Sequence, residues 1–172
     1  FLQQDLLQQA DSSSQADARF EPNPNLTVRE ALDRAASRIG DRFTNQPLQE
    51  AAVRTSIGLA LMGVGEPRRA TPHLQRALDL RQTKLGPDHP DTLASMNNLA
   101  RAYNKARRNH QALPLFEETL KLKKAKLGPD HPDTLATMNN LGSAYREGDK
   151  LDQAVPLLEE SLKLVKAKLG PD

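Results

Sequence analysis

Histidines that stand among aspartates are the first side chains of this sequence that could do chemistry. His89 and His131 each occur within Asp-His-Pro-Asp, where imidazole and carboxylate groups are possible metal ligands. The same residues suit the start of a helix, with Asp88 as the N-cap and Pro90 and Asp91 in the first turn. Because a helix start explains the pattern, we predict no metal site and no cofactor here.

Two glutamate pairs, Glu117-Glu118 and Glu159-Glu160, offer paired acids of the kind used in general acid–base catalysis. Adjacent residues on a helix point about 100° apart, so the two carboxylates of a pair cannot both face one scissile bond. We interpret both pairs as solvated surface. The sequence contains no cysteine, no glycine-rich phosphate loop and no nucleophile elbow. We therefore predict that this chain is not an enzyme.

The run from Lys121 to Lys126 is the third candidate, because clustered cations attract phosphate groups. Its last lysines suit the negative end of a helix, and acidic residues nearby offset them. The chain carries 24 Lys and Arg against 22 Asp and Glu, a formal charge of +2, which predicts no nucleic-acid partner. No stretch approaches the roughly 18 apolar residues of a membrane span, so we also predict no membrane insertion by this sequence.

These residues belong to a repeat. The phrase from Leu85 to Ala94 recurs letter for letter from Leu127 to Ala136, and Leu169 to Asp172 begins it a third time, with 42 residues between the starts. Self-similarity at a fixed period of this size is typical of helical solenoids and other repeat proteins. The first residue is Phe1 and the last four open a repeat, so we expect the sequence to be a piece of a longer protein.

Each unit predicts two helices. Apolar residues recur at steps of three and four from Leu93 to Tyr103, which is the helical period. The second helix carries Ala112, Leu115, Phe116, Leu120 and Leu122. Gly128 followed by Pro129 is a stop signal. The predicted helix pairs are 47–64 with 67–83, 90–106 with 109–126, and 132–147 with 151–168. Three prolines share one register and should lie within or just after the first turn of the second helix: Pro72, Pro114 and Pro156.

The period divides the chain into units of unequal regularity. Residues 1–42 form a cap-like half-unit, in which residues 1–10 have helical spacing, 11–25 read as a linker, Thr27 and Glu30 form a capping box, and Gly40 ends the helix. The remaining divisions are a diverged unit at 43–84, full units at 85–126 and 127–168, and the start of another at 169–172. We predict an all-α fold, a right-handed superhelical solenoid of antiparallel helix pairs.

The spacing of Leu99-Ala100, Tyr103, Ala112 and Phe116 resembles the tetratricopeptide repeat. The longer period and the Leu-Gly-Pro-Asp-His-Pro-Asp phrase resemble the kinesin-light-chain type over about residues 43–172. The flanking stretch, Phe1–Leu7 through Leu26–Ala35, is similar to what precedes such repeats in bacterial receptor-like serine/threonine kinases. That similarity implies a signalling parent whose repeats sense or recruit partners. It leaves the compartment open between the cytoplasm and the soluble region of a membrane-anchored bacterial protein.

One face of each unit's first helix is the candidate binding surface. If Met96, Leu99 and Tyr103 pack inward, then Asn98 and Arg101 lie on a different face. The resemblance implies that this face lines a concave groove. A side-chain amide has two donors and an acceptor, enough to hold the backbone of an extended peptide. The predicted peptide-binding residues are Asn97, Asn98, Arg101, Lys105, Asn139, Asn140 and Ser143. The alternative is that one Asn of each pair ties neighbouring helices together.

The leading interpretation is a non-enzymatic module that binds a protein or peptide segment, with an acidic element facing Arg101 and Lys105. The alternative is a structural spacer or self-association scaffold with no dedicated ligand. The last helix also carries an apolar flank with no following unit to cover it, made of Leu157, Leu158, Leu162 and Val165. We predict that another chain buries this flank.

Overall fold

Seven α-helices account for most of the described residues in a computed structural model, which covers 27–39, 43 and 45–169. No strand occurs in those ranges. The helices are α1 Val28–Ser37, α2 Pro47–Gly63, α3 Pro67–Leu85, α4 Pro90–Lys105, α5 Asn109–Leu127, α6 Pro132–Glu147 and α7 Leu151–Leu169. Six of them match the predicted pairs to within two residues at each end. The predictions for residues 1–25, for Gly40 and for 170–172 lie outside the described residues.

The helix starts confirm one predicted cap and correct another. Thr27 forms the capping box: its Oγ1 accepts from the Glu30 backbone N–H at 3.2 Å, and Glu30 Oε2 accepts from the Thr27 backbone N–H at 2.8 Å. The N-cap of α4 is His89 and not Asp88, because His89 precedes Pro90 and takes the extended backbone that a following proline favours. His89 Nδ1 accepts from the Asp91 N–H at 3.2 Å.

The second regular repeat has the same histidine cap, and in the first one Asp88 has a different partner. His131 Nδ1 accepts from the Asp133 N–H at 3.1 Å at the start of α6. Asp88 instead pairs with Lys126 at the end of α5, with 2.9 Å between Oδ2 and Nζ. The two histidines are therefore occupied as helix caps, and Asp88 ties one end of a helix pair together.

The three prolines lie inside the second helices at the same place. Pro72, Pro114 and Pro156 are each the sixth residue of their helix, just after the first turn, as predicted. Proline has no N–H, so the carbonyl four residues earlier loses its usual intrahelical donor. In α3 a side chain replaces that donor, since Thr71 Oγ1 donates to the Arg68 carbonyl at 2.8 Å.

The contacts divide the chain into two compact units, Phe1–Lys84 and Leu85–Asp172. In the first unit α1 packs on α2 and buries Leu32 completely. Glu50 of α2 accepts from Arg54 Nε at 2.7 Å and from Arg76 Nε of α3 at 3.3 Å. Asp33 of α1 forms an ion pair with Arg69 of α3. Both polar contacts of α3 fix its place against the other two helices.

In the second unit α4 pairs with α5, α6 pairs with α7, and α5 also packs on α6. One hydrophobic core runs through these helices, and it includes Phe116, Leu120, Met138, Leu141 and Tyr145. Because each pair packs on its neighbour, the unit is held together by the contacts within a repeat and the contacts between adjacent repeats, as in repeat proteins generally.

Close approach of α6 and α7 depends on one glycine. A Cβ built on Gly142 would lie 2.6 Å from Leu158 Cδ2 and 2.7 Å from Leu158 Cγ. One period earlier the equivalent positions are Ala100 and Phe116, both buried in the shared core. The two repeats therefore form the same helix–helix contact with different pairs of residues.

Candidate functional site

The first helices of the two regular repeats, α4 and α6, pack side by side and bring most of the predicted binding residues together. Arg101 and Lys105 of α4 and Asn140 and Ser143 of α6 line one cavity of about 210 Å³. Steps of three and four residues place each pair on one face of its helix. Four of the seven residues selected from the sequence thus share a single cavity, although their ligand contacts stay a prediction.

Three of the four asparagines form side-chain hydrogen bonds between helices. Asn140 Nδ2 donates to Asn97 Oδ1 at 3.3 Å, which links α6 to α4. Asn139 Oδ1 accepts from Ser161 Oγ at 3.0 Å, which links α6 to α7. Asn97 and Asn139 are equivalent in the repeat yet face different partners. The helix-tying role left open above therefore applies to Asn97, Asn139 and partly to Asn140, whose amide keeps a second N–H and its carbonyl oxygen.

Asn98, the remaining asparagine, is half-buried on α4 and does not line the cavity. It precedes Arg101 by three residues, which puts it one turn along the same helix face. A ligand that reaches Asn98 must therefore extend beyond the cavity along α4.

The cavity also contains residues that were not selected from the sequence. Asn104 Nδ2 donates to Glu147 Oε2 at 3.0 Å across the mouth of the cavity, and Phe116 forms part of its wall. Asn104 Oδ1 is buried and has no hydrogen-bond partner among the described residues. The signal for Asn104 is present in the sequence, since it lies three residues after Arg101 and seven after Asn97.

Charge around this cavity is mostly positive. Arg101 and Lys105 contribute two cations, and Glu147 contributes one carboxylate, which the Asn104 amide already engages. The described ion pairs include neither Arg101 nor Lys105. The arrangement can accept a carboxylate at the two cations, and the Ser143 hydroxyl and the Asn140 amide can hydrogen-bond to a bound backbone.

A second and larger cavity, of about 640 Å³, lies between α5 and α7 over α6. Tyr145 of α6 forms part of its floor, and its hydroxyl donates to Glu117 Oε1 at 2.7 Å. Burial and that hydrogen bond raise the pKa of Tyr145 to about 12, so the hydroxyl remains a donor at neutral pH. Sequence reasoning missed this cavity, because its shape depends on the spacing of two helices that are distant in the chain.

The outer face of α7 carries exposed apolar side chains. Val155 and Leu162 are 50% and 55% exposed, whereas their equivalents one period earlier, Leu113 and Leu120, are each 8% exposed beneath α6. Of the flank predicted from the sequence, Leu162 is exposed, whereas Leu157, Leu158 and Val165 are half-buried within the chain itself. Whether another chain covers this face stays a prediction.

Metal binding and membrane insertion would each need a particular arrangement of side chains. Among the described residues, no three His, Asp or Glu side chains lie close enough together to hold a metal ion. None of the described helices combines the length and the apolar character needed to cross a membrane.

Comparison with known proteins supports the repeat interpretation. The sequence profile of the tetratricopeptide repeat matches residues 49–125 and, in a second overlapping match, residues 102–167. These matches span the two regular repeats and most of the diverged one. No curated protein matches the sequence.

Solved structures show the same fold at low sequence identity. A Podosopora anserina kinesin light chain with nearly identical TPR-like repeats aligns at 23% identity with a TM-score of 0.73, over 97% of this chain and 77% of that one. A point variant of that protein aligns at 24% identity with a TM-score of 0.70, over 92% of this chain and 74% of that one. BtubC (BKLC) from P. vanneervenii aligns at 18% identity with a TM-score of 0.69, over 84% of this chain and 59% of that chain. The predicted kinesin-light-chain-like repeat fold is thereby confirmed.

Proposed function

We propose a role in binding other proteins for this chain, which belongs to the tetratricopeptide repeat family. Repeats of this family generally bind proteins or peptides and are generally not enzymes. The ligand in our proposal is an extended protein segment with an acidic element, held over the cavity between α4 and α6. Its contacts are Asn98, Asn140, Arg101, Lys105 and Ser143, with Asn97 and Asn139 positioning the amides beside them.

The observation that carries this proposal is that Arg101 and Lys105, which no described ion pair engages, line one cavity together with Asn140 and Ser143. Arg101 and Lys105 then face the acidic side chain of the segment, and Asn140 offers its second N–H to a backbone carbonyl.

The test begins with an acidic peptide selected from a displayed library against the whole chain, and it measures the Kd by calorimetry. Each amide-to-backbone bond should contribute about 0.5–1.5 kcal/mol, so the double substitution Asn98→Ala and Asn140→Ala should weaken binding about tenfold or more. Arg101→Gln should weaken it further and reduce its sensitivity to salt, because screening acts on the charge contact.

Two controls make this result specific. Arg146→Ala removes a cation from α6 outside the cavity and should leave the Kd unchanged. Circular dichroism must show unchanged helix content in the asparagine variants, because Asn140 also donates to Asn97. If the double variant folds normally and binds the peptide as tightly as the original chain, the assignment of this cavity is wrong.

A second function, as a self-association scaffold, is favoured by the apolar face of α7. Val155 and Leu162 occupy positions that an adjacent repeat buries one period earlier. In this reading the chain joins a copy of itself through α7 and needs no separate ligand. The kinase parent inferred from the flanking sequence remains a prediction, which the reading frame on either side of these repeats would test.

A further inference from the structure

We propose that the groove between α5 and α7 is a second docking site, which binds an acidic amphipathic helix of a partner protein. The proposal is independent of the cavity between α4 and α6, since the two share no lining residue. At about 640 Å³ the groove has roughly three times the volume of that cavity and falls within the size range of about 300–1,000 Å³ that is typical of ligand-binding clefts.

The floor of the groove is apolar. Leu120 of α5, Leu141 of α6 and the ring of Tyr145 form its base, and Pro156 and Leu157 of α7 form one wall. Pro156 is exposed and Leu157 is half-buried, so apolar surface faces solvent here. Burying such surface contributes about 25 cal/mol per Å², which favours an occupant that brings apolar side chains of its own.

The charged groups that line the groove are two lysines and two glutamates, and three of the four already have a partner. Lys124 Nζ joins Glu160 Oε1 at 2.8 Å, and Glu117 accepts the Tyr145 hydroxyl. Lys121 lines the groove, and Lys150 Nζ lies 6.0 Å from the centre of the Tyr145 ring. No ion pair of the described residues engages either of these last two lysines. Two lysines and two glutamates line the groove, and of these four only Lys121 has no described ion pair or hydrogen bond, so the occupant that complements it places a carboxylate beside Lys121.

A helix fits these requirements better than an extended strand. The groove runs between two helices, and its side walls are side chains rather than unpaired backbone groups, so it has no edge that a strand could extend. An amphipathic helix can place apolar residues on the floor at steps of three and four while its acidic residues reach Lys121. Its remaining face stays in water.

The probe is a synthetic helical peptide with leucine on one face and glutamate beside it, titrated into the full chain with methyl and amide NMR detection. Shifts should appear at Leu120, Leu141 and Leu157. Lys121→Glu should weaken binding about tenfold. Lys163→Glu is the matched control, because Lys163 is the equivalent lysine one period later and lies outside the groove; it should leave the Kd unchanged.

Exchanging the charges of the peptide and of Lys121 distinguishes specific docking from nonspecific hydrophobic binding. A twin peptide with lysine in place of glutamate should bind the original chain more weakly and should recover affinity for the Lys121→Glu variant. A scrambled peptide with the same composition should not bind. The proposal is overturned if the scrambled peptide binds equally, if Lys121→Glu has no effect, or if the shifts map to Asn104 and Ser143. Arg101→Gln must leave this binding intact, which keeps the test separate from that of the first cavity.

Discussion

Single residues decide how the two regular repeats differ. Lys123 of α5 is 5% exposed, and its ammonium donates to the Asp133 carbonyl at 3.2 Å and to Thr137 Oγ1 at 3.1 Å. One period later the same position is Val165. Burial lowers the pKa of Lys123, which means that the folded chain accommodates its charge with difficulty. A buried cation without a carboxylate in contact is rarely a source of net stability.

Replacing Lys123 tests that interpretation. Lys123→Met keeps the packing and removes the buried charge, and Thr137 Oγ1 still donates to the Asp133 carbonyl at 2.9 Å. We expect the free energy of unfolding to rise by about 1 kcal/mol at neutral pH. The lowered pKa adds stability to the original chain only above the ordinary lysine pKa of 10.5, and that stability is lost as the pH falls through the lowered value.

The stability advantage of Lys123→Met over the original chain should therefore shrink as the pH rises toward the ordinary lysine pKa of 10.5. Urea unfolding monitored by circular dichroism, at neutral and at strongly alkaline pH, measures both values. A variant less stable than the original chain at neutral pH would mean that the two hydrogen bonds of the ammonium outweigh its loss of hydration.

The residue-level predictions from sequence succeeded where the cause is local. The Thr27–Glu30 capping box needs only four adjacent residues, and it is present. The N-cap of α4 lies one residue later than predicted, because Pro90 favours an extended backbone at the residue before it. The asparagines could be placed on a helix face but not given partners, since Asn97 and Asn139 occupy one register and bond to different helices.

At the scale of whole helices, the fit between α6 and α7 rests on Gly142. The helices and their ends could be predicted from the sequence, because the apolar residues repeat at helical steps and a Gly-Pro pair marks the stop. The distance between two packed helices cannot be predicted from such a pattern. It depends on which side chain faces which, and Gly142 opposite Leu158 allows an approach that a methyl group would prevent.

Gly142→Ala should destabilise the chain even though alanine favours helices. Helix propensity alone would add up to about 1 kcal/mol, but overpacking a core costs about 1–3 kcal/mol. We expect a net loss of about 1 kcal/mol in the free energy of unfolding, measured by urea titration. Gly63→Ala is the matched control, because a Cβ there meets nothing within 4 Å; it should be neutral or stabilising. Equal effects of the two substitutions would show that Leu158 moves aside freely.

For the molecule as a whole, stability in a repeat array is approximately the sum of the repeats and the interfaces between neighbours. The fold class was predictable because a 42-residue period leaves few architectures. The binding surfaces were predictable only in part. Helix geometry selected the face of α4 and α6, whereas the groove between α5 and α7 arises from contacts between segments far apart in the chain.

The apolar face of α7 leads to a prediction about the whole chain. If α7 joins a second copy, light scattering should give a mass that rises toward the dimer with concentration. Leu162→Glu should return the chain to a monomer, because it places a charge on the most exposed part of the predicted flank. Val28→Glu, at a 60% exposed valine of α1, is the control and should not change the mass. A strict monomer at high concentration would contradict self-association.

The pairing of Gly142 with Leu158, and of Ala100 with Phe116, also bears on how the chain reaches its fold. About two-thirds of the 42-residue unit is identical between the two regular copies, so during synthesis α4 meets two similar partners, α5 and α7. Misassembly between like segments is the characteristic folding error of repeat proteins. With α7 in the wrong place, the methyl group of Ala100 meets Leu158 where the native glycine leaves room, and Phe116 against Gly142 leaves a void. Each mismatch raises the energy of the exchanged arrangement, so these two pairs distinguish α5 from α7 as the partner of α4. Gly58 and Leu74 of the first unit repeat the Gly–Leu pair of α6 and α7, so the same contact does not distinguish α3 from α7.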